Sequence, residues 1–206
     1  MKYNTVILAD GTFPSHEIPL NYLRNAERIV CCDGSTKDLL DFGLEPDSIV
    51  GDMDSLSADL AKRFSDRLHP DSGQDTNDLT KAVNWCRGNG YFELVIVGAT
   101  GKREDHTIGN ISLLAEYSAD VNVIMVTDTG ILRSFFSSTE ISVIPGQQVS
   151  IFSLNPETEI TSHGLKYPLI KSKLNNWWNA TLNEATGNSF RIEFTKGRII
   201  VYLKFL

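Results

Sequence analysis

One recurring unit constrains the fold more than any other feature of this chain: a short apolar run, a polar turn, then a helical stretch. The runs are Val6–Ala9, Ile29–Cys32, Ile49–Val50, Leu94–Val97 and Val121–Val126. They do not alternate with polar residues, so they suit strands buried on both faces. Between them, Thr36–Phe42 stops at Gly43, a favourable helix end, and Ala58–Phe64 follows Ser57, a favourable start. Thr76–Arg87 places Leu79, Ala82, Val83 and Cys86 on one helical face, and Glu104–Tyr117 does the same with Ile108, Ile111, Leu114 and Ala115. Strands alternating with helices predict an α/β unit: a mostly parallel sheet with helices on both faces.

The pattern changes after about residue 130. Glu140–Ile144, Gln148–Phe152 and Phe190–Phe194 alternate apolar and polar with period two, and Pro145-Gly146, Asn155-Pro156, Gly187-Asn188 and Lys196-Gly197 punctuate them. This predicts an antiparallel β-sandwich or barrel. We expect an α/β domain over residues 1–133 and a β-domain over 134–206, with the boundary between Thr129 and Ser138.

The totals narrow the function. The net charge is −7 and no block of Lys or Arg stands out, so nucleic acid and anionic membrane are not expected partners. Mg²⁺-bound phosphates remain compatible with an acidic chain. The apolar run near the N-terminus is too short for a signal segment, and no stretch reaches the length of a membrane span. Cys31 and Cys32 are adjacent and the cysteine count of 3 is odd, which argues against a disulfide framework and for the cytoplasm.

The chemistry gathers where strands end. Gly51-Asp52-Met53-Asp54-Ser55 follows an apolar run and carries two carboxylates two residues apart. Loops beyond the carboxyl ends of parallel strands are where α/β folds hold ligands. Mg²⁺ takes one or two such carboxylates together with substrate phosphates; the competing reading is a solvated turn that caps the next helix. Gln74-Asp75-Thr76-Asn77-Asp78 precedes Lys81 at the start of a helix. Asp75 as N-cap and Asp78 as its capping-box partner is the structural reading; a phosphate-attracting helix start with Lys81 on the same face is the functional one. Gly98-Ala99-Thr100-Gly101-Lys102-Arg103-Glu104-Asp105-His106 lies between a strand and a helix. Its glycines admit close approach of phosphate, and Lys102 and Arg103 add charge. It lacks the spacing of a P-loop, and His106 alone is more often a packing or capping residue. Cys32-Asp33-Gly34-Ser35 ends a further strand. Together these clusters describe one crest with carboxylates for metal and cations for phosphate, equipment for phosphoryl or pyrophosphoryl transfer.

In order and spacing, CDGS, PDSIVGDMDS, QDTNDLTKA and GATGKREDH resemble the thiamin pyrophosphokinases. Gly164–Leu169 and Asn183-Glu184 resemble the family's β-domain motifs more weakly. The resemblance implies an α/β catalytic domain and a β-sandwich in a homodimer with shared active sites. It implies transfer of the pyrophosphoryl group of ATP to the hydroxyl of thiamin, giving thiamin pyrophosphate and AMP. Mg²⁺ would sit on Asp52, Asp54 and Asp78, which with Arg103 form the catalytic set. Gln74 and Asp105 would lie near thiamin, and Asp33 and Lys81 near the phosphates or their support. Gly34, Asp75, Gly101 and His106 complete the candidate binding residues of the first domain. Tyr167 and Asn183 would cover thiamin from the β-domain. Tyr167 and Leu182 stand where the family often has Trp and Ser, and Trp177-Trp178 reads as core or interface rather than as a ligand. A pterin pyrophosphokinase of similar fold and a non-catalytic nucleotide sensor are the competing functions.

Overall fold

The computed structural model describes residues 3–206. Contacts divide the chain into two compact units, one ending at Asp128 and the other spanning Thr129–Leu206. The division falls earlier than residue 133 because the strand Gly130–Phe135 pairs within the second unit.

The first unit runs β1 (Thr5–Leu8), α1 (Glu17–Arg24), β2 (Arg28–Cys32), a 3-10 turn at Asp33–Ser35, α2 (Thr36–Asp41), β3 (Ser48–Gly51), α3 (Ala58–Arg63), β4 (Leu68–Pro70), α4 (Asp78–Gly88), β5 (Glu93–Val97), α5 (Glu104–Tyr117) and β6 (Asn122–Val126). Its strands are parallel, in the order β6-β5-β1-β2-β3-β4. Val6, Ile7 and Leu8 of β1 and Leu94, Val95 and Ile96 of β5 are almost entirely buried, as expected of unbroken apolar runs at a sheet centre.

Helix α4 buries Leu79, Ala82, Val83 and Cys86, the face that the spacing predicts. Its cap differs from expectation. Asn77, not Asp75, is the N-cap, and its side chain accepts the Thr80 N–H at 2.9 Å. Helix α5 buries Leu114, Ala115 and Tyr117, whereas Ile108, expected on the buried face, is 57% exposed. Helix α1 carries Pro19 in its first turn, where backbone N–H groups have no helical partner and proline costs little. Asp128 holds the entry to α1. Its carboxylate accepts the Ser15 and His16 N–H groups and, at 2.6 Å, the Ser15 hydroxyl.

The second unit is antiparallel throughout: β7 (Gly130–Phe135), β8 (Thr139–Ser142), β9 (Gln148–Ser153), β10 (Glu159–His163), β11 (Ser172–Lys173), β12 (Asn183–Glu184), β13 (Ser189–Glu193) and β14 (Ile199–Lys204). The strands form two sets, β12-β9-β14-β7 and β11-β10-β13-β8. Inward residues of both sets, including Ile141, Ile151, Ile160, Phe190, Ile192 and Val201, make one core. Trp177 and Trp178 lie outside it, 41% and 72% exposed, with the Trp177 ring edge-on to Phe152.

Phe190 is the largest fully buried side chain of that core. Phe190→Ala should cost about 3–5 kcal/mol, the usual loss when a buried aromatic leaves a cavity. Urea unfolding followed through the tryptophans, all but one of which lie in this unit, measures it.

Candidate active site

The strand order reverses between β1 and β5. The chain leaves β1 towards β2 and leaves β5 towards β6, on the opposite side, so the loops at their carboxyl ends part and a crevice opens. A cleft of about 390 Å³ lies there. Of the residues expected from the sequence, Asp52, Gln74, Asp78, Lys81, Gly101, Arg103 and His106 line it. Asp33, Gly34, Asp54, Asp75 and Asp105 stand outside its wall.

The loop after β3 is shaped by backbone. Met53 takes φ +69°, and the Asp52 carboxylate accepts the Asp54 N–H at 3.0 Å. This turn keeps Asp52 half-buried in the cleft wall and leaves Asp54 exposed. Asp33 is buried behind the loop. It accepts the Gly34 N–H at 2.8 Å and the Ser55 N–H at 3.4 Å. A Cβ on Gly51 would come within 2.8 Å of its Cγ, so only glycine fits there. Burial pushes the Asp33 carboxyl above its ordinary range, and the charges of Asp78 and Asp52 add to this against the two N–H groups.

Lys81 is buried on α4, its ammonium 3.0 Å from Asp78. Burial works against its charge, but the Asp78 bond and the fields of Asp78, Asp52 and Asp71 outweigh it and raise the pKa. Arg103 is exposed and gripped at two points by Asp105, Nε to Oδ1 at 3.1 Å and Nη2 to Oδ2 at 2.6 Å. Arg103 holds the Asp105 carboxyl down at about 2. Asp105, expected near a substrate, is therefore engaged in fixing the guanidinium. The three thiols are buried, and burial pushes Cys31 and Cys86 up to about 12 and Cys32 well above its ordinary value.

Among the described residues, no three His, Cys, Asp or Glu side chains converge as a ready metal cage. Asp52, Asp54 and Asp78 do not form a preassembled set, because the Met53 turn carries Asp54 outwards and Asp78 is engaged with Lys81. Asp52 and Asp78 do share the cleft wall. Two carboxylates facing a phosphate-sized space suit Mg²⁺, which rarely relies on an all-protein cage.

Several residues in the site escaped sequence reasoning. Asp10 lines the cleft and pairs at 2.7 Å with Lys102, whose charge the sequence already offers to phosphate. Asp10 follows an apolar run just as the other candidates do, and that signal could have found it. Asn77, the N-cap of α4, and Asn110, within α5, join the two helices. Asn77 donates to Asn110 at 3.0 Å, and Asn110 donates to the Ala99 carbonyl at 2.8 Å. The Thr80 hydroxyl bonds both Asn77 and the buried Tyr117 hydroxyl. These polar bonds tie α4, α5 and the loop after β5 into one frame.

Comparison with known proteins decides the family. Residues 20–126 match the model of the thiamin pyrophosphokinase catalytic domain, and residues 130–202 match that of the thiamin pyrophosphokinase substrate-binding domain. The chain belongs to the thiamin pyrophosphokinase family. The thiamine pyrophosphokinase of Bacillus subtilis is 29% identical over 180 residues, covering 82% of this chain and 83% of that protein. Thiamine pyrophosphokinase 1 of Oryza sativa subsp. japonica is 28% identical over 141 residues, 61% of this chain and 53% of that protein. This chain thus spans about half the length of that plant relative. Among solved structures, a thiamin pyrophosphokinase family protein from Enterococcus faecalis matches with TM-score 0.80 at 21% identity, covering 98% of this chain and 99% of that one. A thiamin pyrophosphokinase from Geobacillus thermodenitrificans matches with TM-score 0.78 at 25% identity, covering 98% and 97%.

The segment that matches the thiamin pyrophosphokinase substrate-binding model includes Tyr167 and Asn183. Tyr167 is 62% exposed. Asn183 is buried; its amide accepts the Tyr167 N–H at 3.0 Å and donates to the Tyr167 carbonyl at 2.7 Å. The observed work of Asn183 is to hold the Tyr167 loop. Leu182 beside it takes φ +56° and is 73% exposed.

Burial and two like charges raise the Asp33 pKa. In metal-free protein, Asp33→Asn should melt no lower than the parent, and higher if the repulsion exceeds the long Ser55 contact. Thermal denaturation with and without Mg²⁺ measures this, and the benefit should shrink when the metal screens the carboxylates.

Proposed function

We propose that the protein is a cytoplasmic, Mg²⁺-dependent enzyme that transfers the pyrophosphoryl group of ATP to the hydroxyl of thiamin, releasing thiamin pyrophosphate and AMP. One observation carries the reading: the cleft at the β1/β5 reversal puts the carboxylates Asp52 and Asp78 and the cations Lys81 and Arg103 around one space. Family membership supplies the alcohol. The free, buried cysteines agree with a reducing compartment, and among the described residues no helix is long and apolar enough to cross a membrane.

Mg²⁺ would be held by Asp52 and Asp78, with Asp54 close along the chain, and would neutralise phosphate charge when bound. Lys81, fixed by Asp78, presents a permanent charge to the phosphates. Arg103, pre-set by Asp105, meets charge that grows on the transferred group, and its planar fork suits phosphate oxygens. Asp33 supports the Asp52 loop through Ser55 and the close fit at Gly51. Gln74 and His106 border the same space. The second unit recognises thiamin through the loop bearing Tyr167, which Asn183 holds in place.

Incubation with ATP, thiamin and Mg²⁺ should yield AMP and thiamin pyrophosphate in equal amounts, and a chelator should abolish both. Asp52→Asn should lower turnover on the order of 100-fold or more while leaving the melting temperature intact. Faster product formation with hydroxymethylpterin than with thiamin would transfer the reading to a pterin substrate.

The proposal includes a twofold dimer in which each site draws on both chains. Asp52→Asn and the double variant Tyr167→Ala/Asn183→Ala should each be nearly inactive. Refolded together in equal amounts, about half the dimers are mixed, and each mixed dimer has one intact site, so activity should return to roughly a quarter of wild type. No recovery, with mixing verified by tagged pull-down, would place each site within one chain.

A further inference from the structure

Resting on the reading of the cleft as a nucleotide site, we propose that Lys102 binds the phosphates of the nucleotide and that Asp10 is a positioning residue holding its ammonium ready. Lys102 stands where the backbone favours glycine. Its φ is +56°, it follows Gly101 at φ +77°, and the Arg103 N–H closes on the Gly101 carbonyl at 2.7 Å, a tight three-residue turn. A long side chain is strained at such a position.

Stability does not account for a lysine there. Its ion pair with Asp10 joins residues 92 positions apart, but both side chains are about half-exposed, and pairs of that kind contribute little. What the pair does is fix direction. The Asp10 carboxylate lies against Gly34, where a Cβ would come within 2.5 Å of its Oδ2, while Oδ1 takes the Lys102 ammonium. Asp10 thus bridges the loops after β1, β2 and β5, and both partners line the cleft. An ammonium has three donors. Asp10 occupies one and leaves the others for phosphate oxygens, and a lysine already ordered loses less freedom when the nucleotide arrives.

The geometry therefore assigns the two residues unequal, coupled roles. Lys102→Gly suits the turn and should melt at or above the wild-type temperature. Its KM for ATP, at saturating thiamin, should rise about tenfold, the loss of one charge-assisted contact. Its KM for thiamin should stay within about twofold. Asp10→Asn should raise the KM for ATP about threefold, through lost ordering of one long side chain. The double variant should be no worse than Lys102→Gly, because Asp10 acts through Lys102. An unchanged KM for ATP in Lys102→Gly would overturn the phosphate role and leave the pair as a latch. Additive losses in the double variant would overturn the positioning role of Asp10. Calorimetric titration of wild type and Lys102→Gly with inorganic tripolyphosphate and Mg²⁺ separates this proposal from the reading beneath it. If wild type makes no AMP from ATP and thiamin, that reading fails, yet weaker tripolyphosphate binding in Lys102→Gly still supports Lys102. Equal binding by both proteins overturns it.

Discussion

The reversal of strand order between β1 and β5 is the constraint on which the cleft depends. It places two chain crossovers on opposite sides of one strand pair, and the loops that follow must diverge. They do not diverge at once. Beyond the strands, Ala9, Gly11 and Thr12 donate N–H groups to the carbonyls of Val97, Gly98 and Thr100. A Cβ on Gly11 would lie 2.3 Å from the Gly98 oxygen, so this zipped edge exists only because residue 11 has no side chain. The zipper sets where Asp10 points out on one side and where the Gly101–Arg103 turn begins on the other. Positions of charge in the cleft follow from backbone hydrogen bonds rather than from the charges themselves.

Charge is distributed unevenly over that scaffold. The cations come already paired: Lys81 with Asp78, Lys102 with Asp10, Arg103 with Asp105. Hydrogen bonds to Asp33 and Asp52, by contrast, come from backbone N–H groups. The result is a set of paired cations beside carboxylates held by backbone, and burial, with the charges of Asp78 and Asp52, raises the Asp33 pKa. Such a site is incomplete electrostatically. On the proposed function, a divalent cation would relieve the carboxylates and the oxygens of a polyphosphate would complete the cations, so the two would arrive most favourably together. In the proposed group transfer, pre-set charges would not have to reorganise, and their catalytic value would lie there.

Much of the first unit was legible in the sequence because its signals are local. Unbroken apolar runs gave the strands of a parallel sheet, and Leu79, Ala82, Val83 and Cys86 gave the buried face of α4. The functional loops were legible for the same reason, since each follows such a run. What stayed hidden depends on contacts between distant residues. Asn77 replaces Asp75 as the cap because its amide also reaches Asn110, 33 residues away. Asp105 pairs with Arg103, and Asp54 swings outwards, because of side-chain and backbone geometry that spacing does not encode. In the second unit β7 and β14 form an extended pairing, from Gly130↔Lys204 to Phe135↔Ile199. Period-two alternation does not reveal it, because Ile199, Ile200 and Val201 are all buried.

Backbone strain supplies the last step. Outside glycine, positive φ occurs among the described residues at Met53, Lys102, Lys171 and Leu182. Met53 stands between the two carboxylates of the β3 loop, and Lys102 between the glycine and the arginine of the β5 loop. Leu182 adjoins the asparagine that holds Tyr167. Three of these four turn the chain abruptly beside a residue of the candidate site: Asp52, Arg103 and Asn183. Glycine would relieve the strain at each position while adding conformational freedom to the unfolded chain. A non-glycine residue at positive φ is held there by its surroundings. At Lys102 the turn carries a side chain that adds a cation Asp10 can hold.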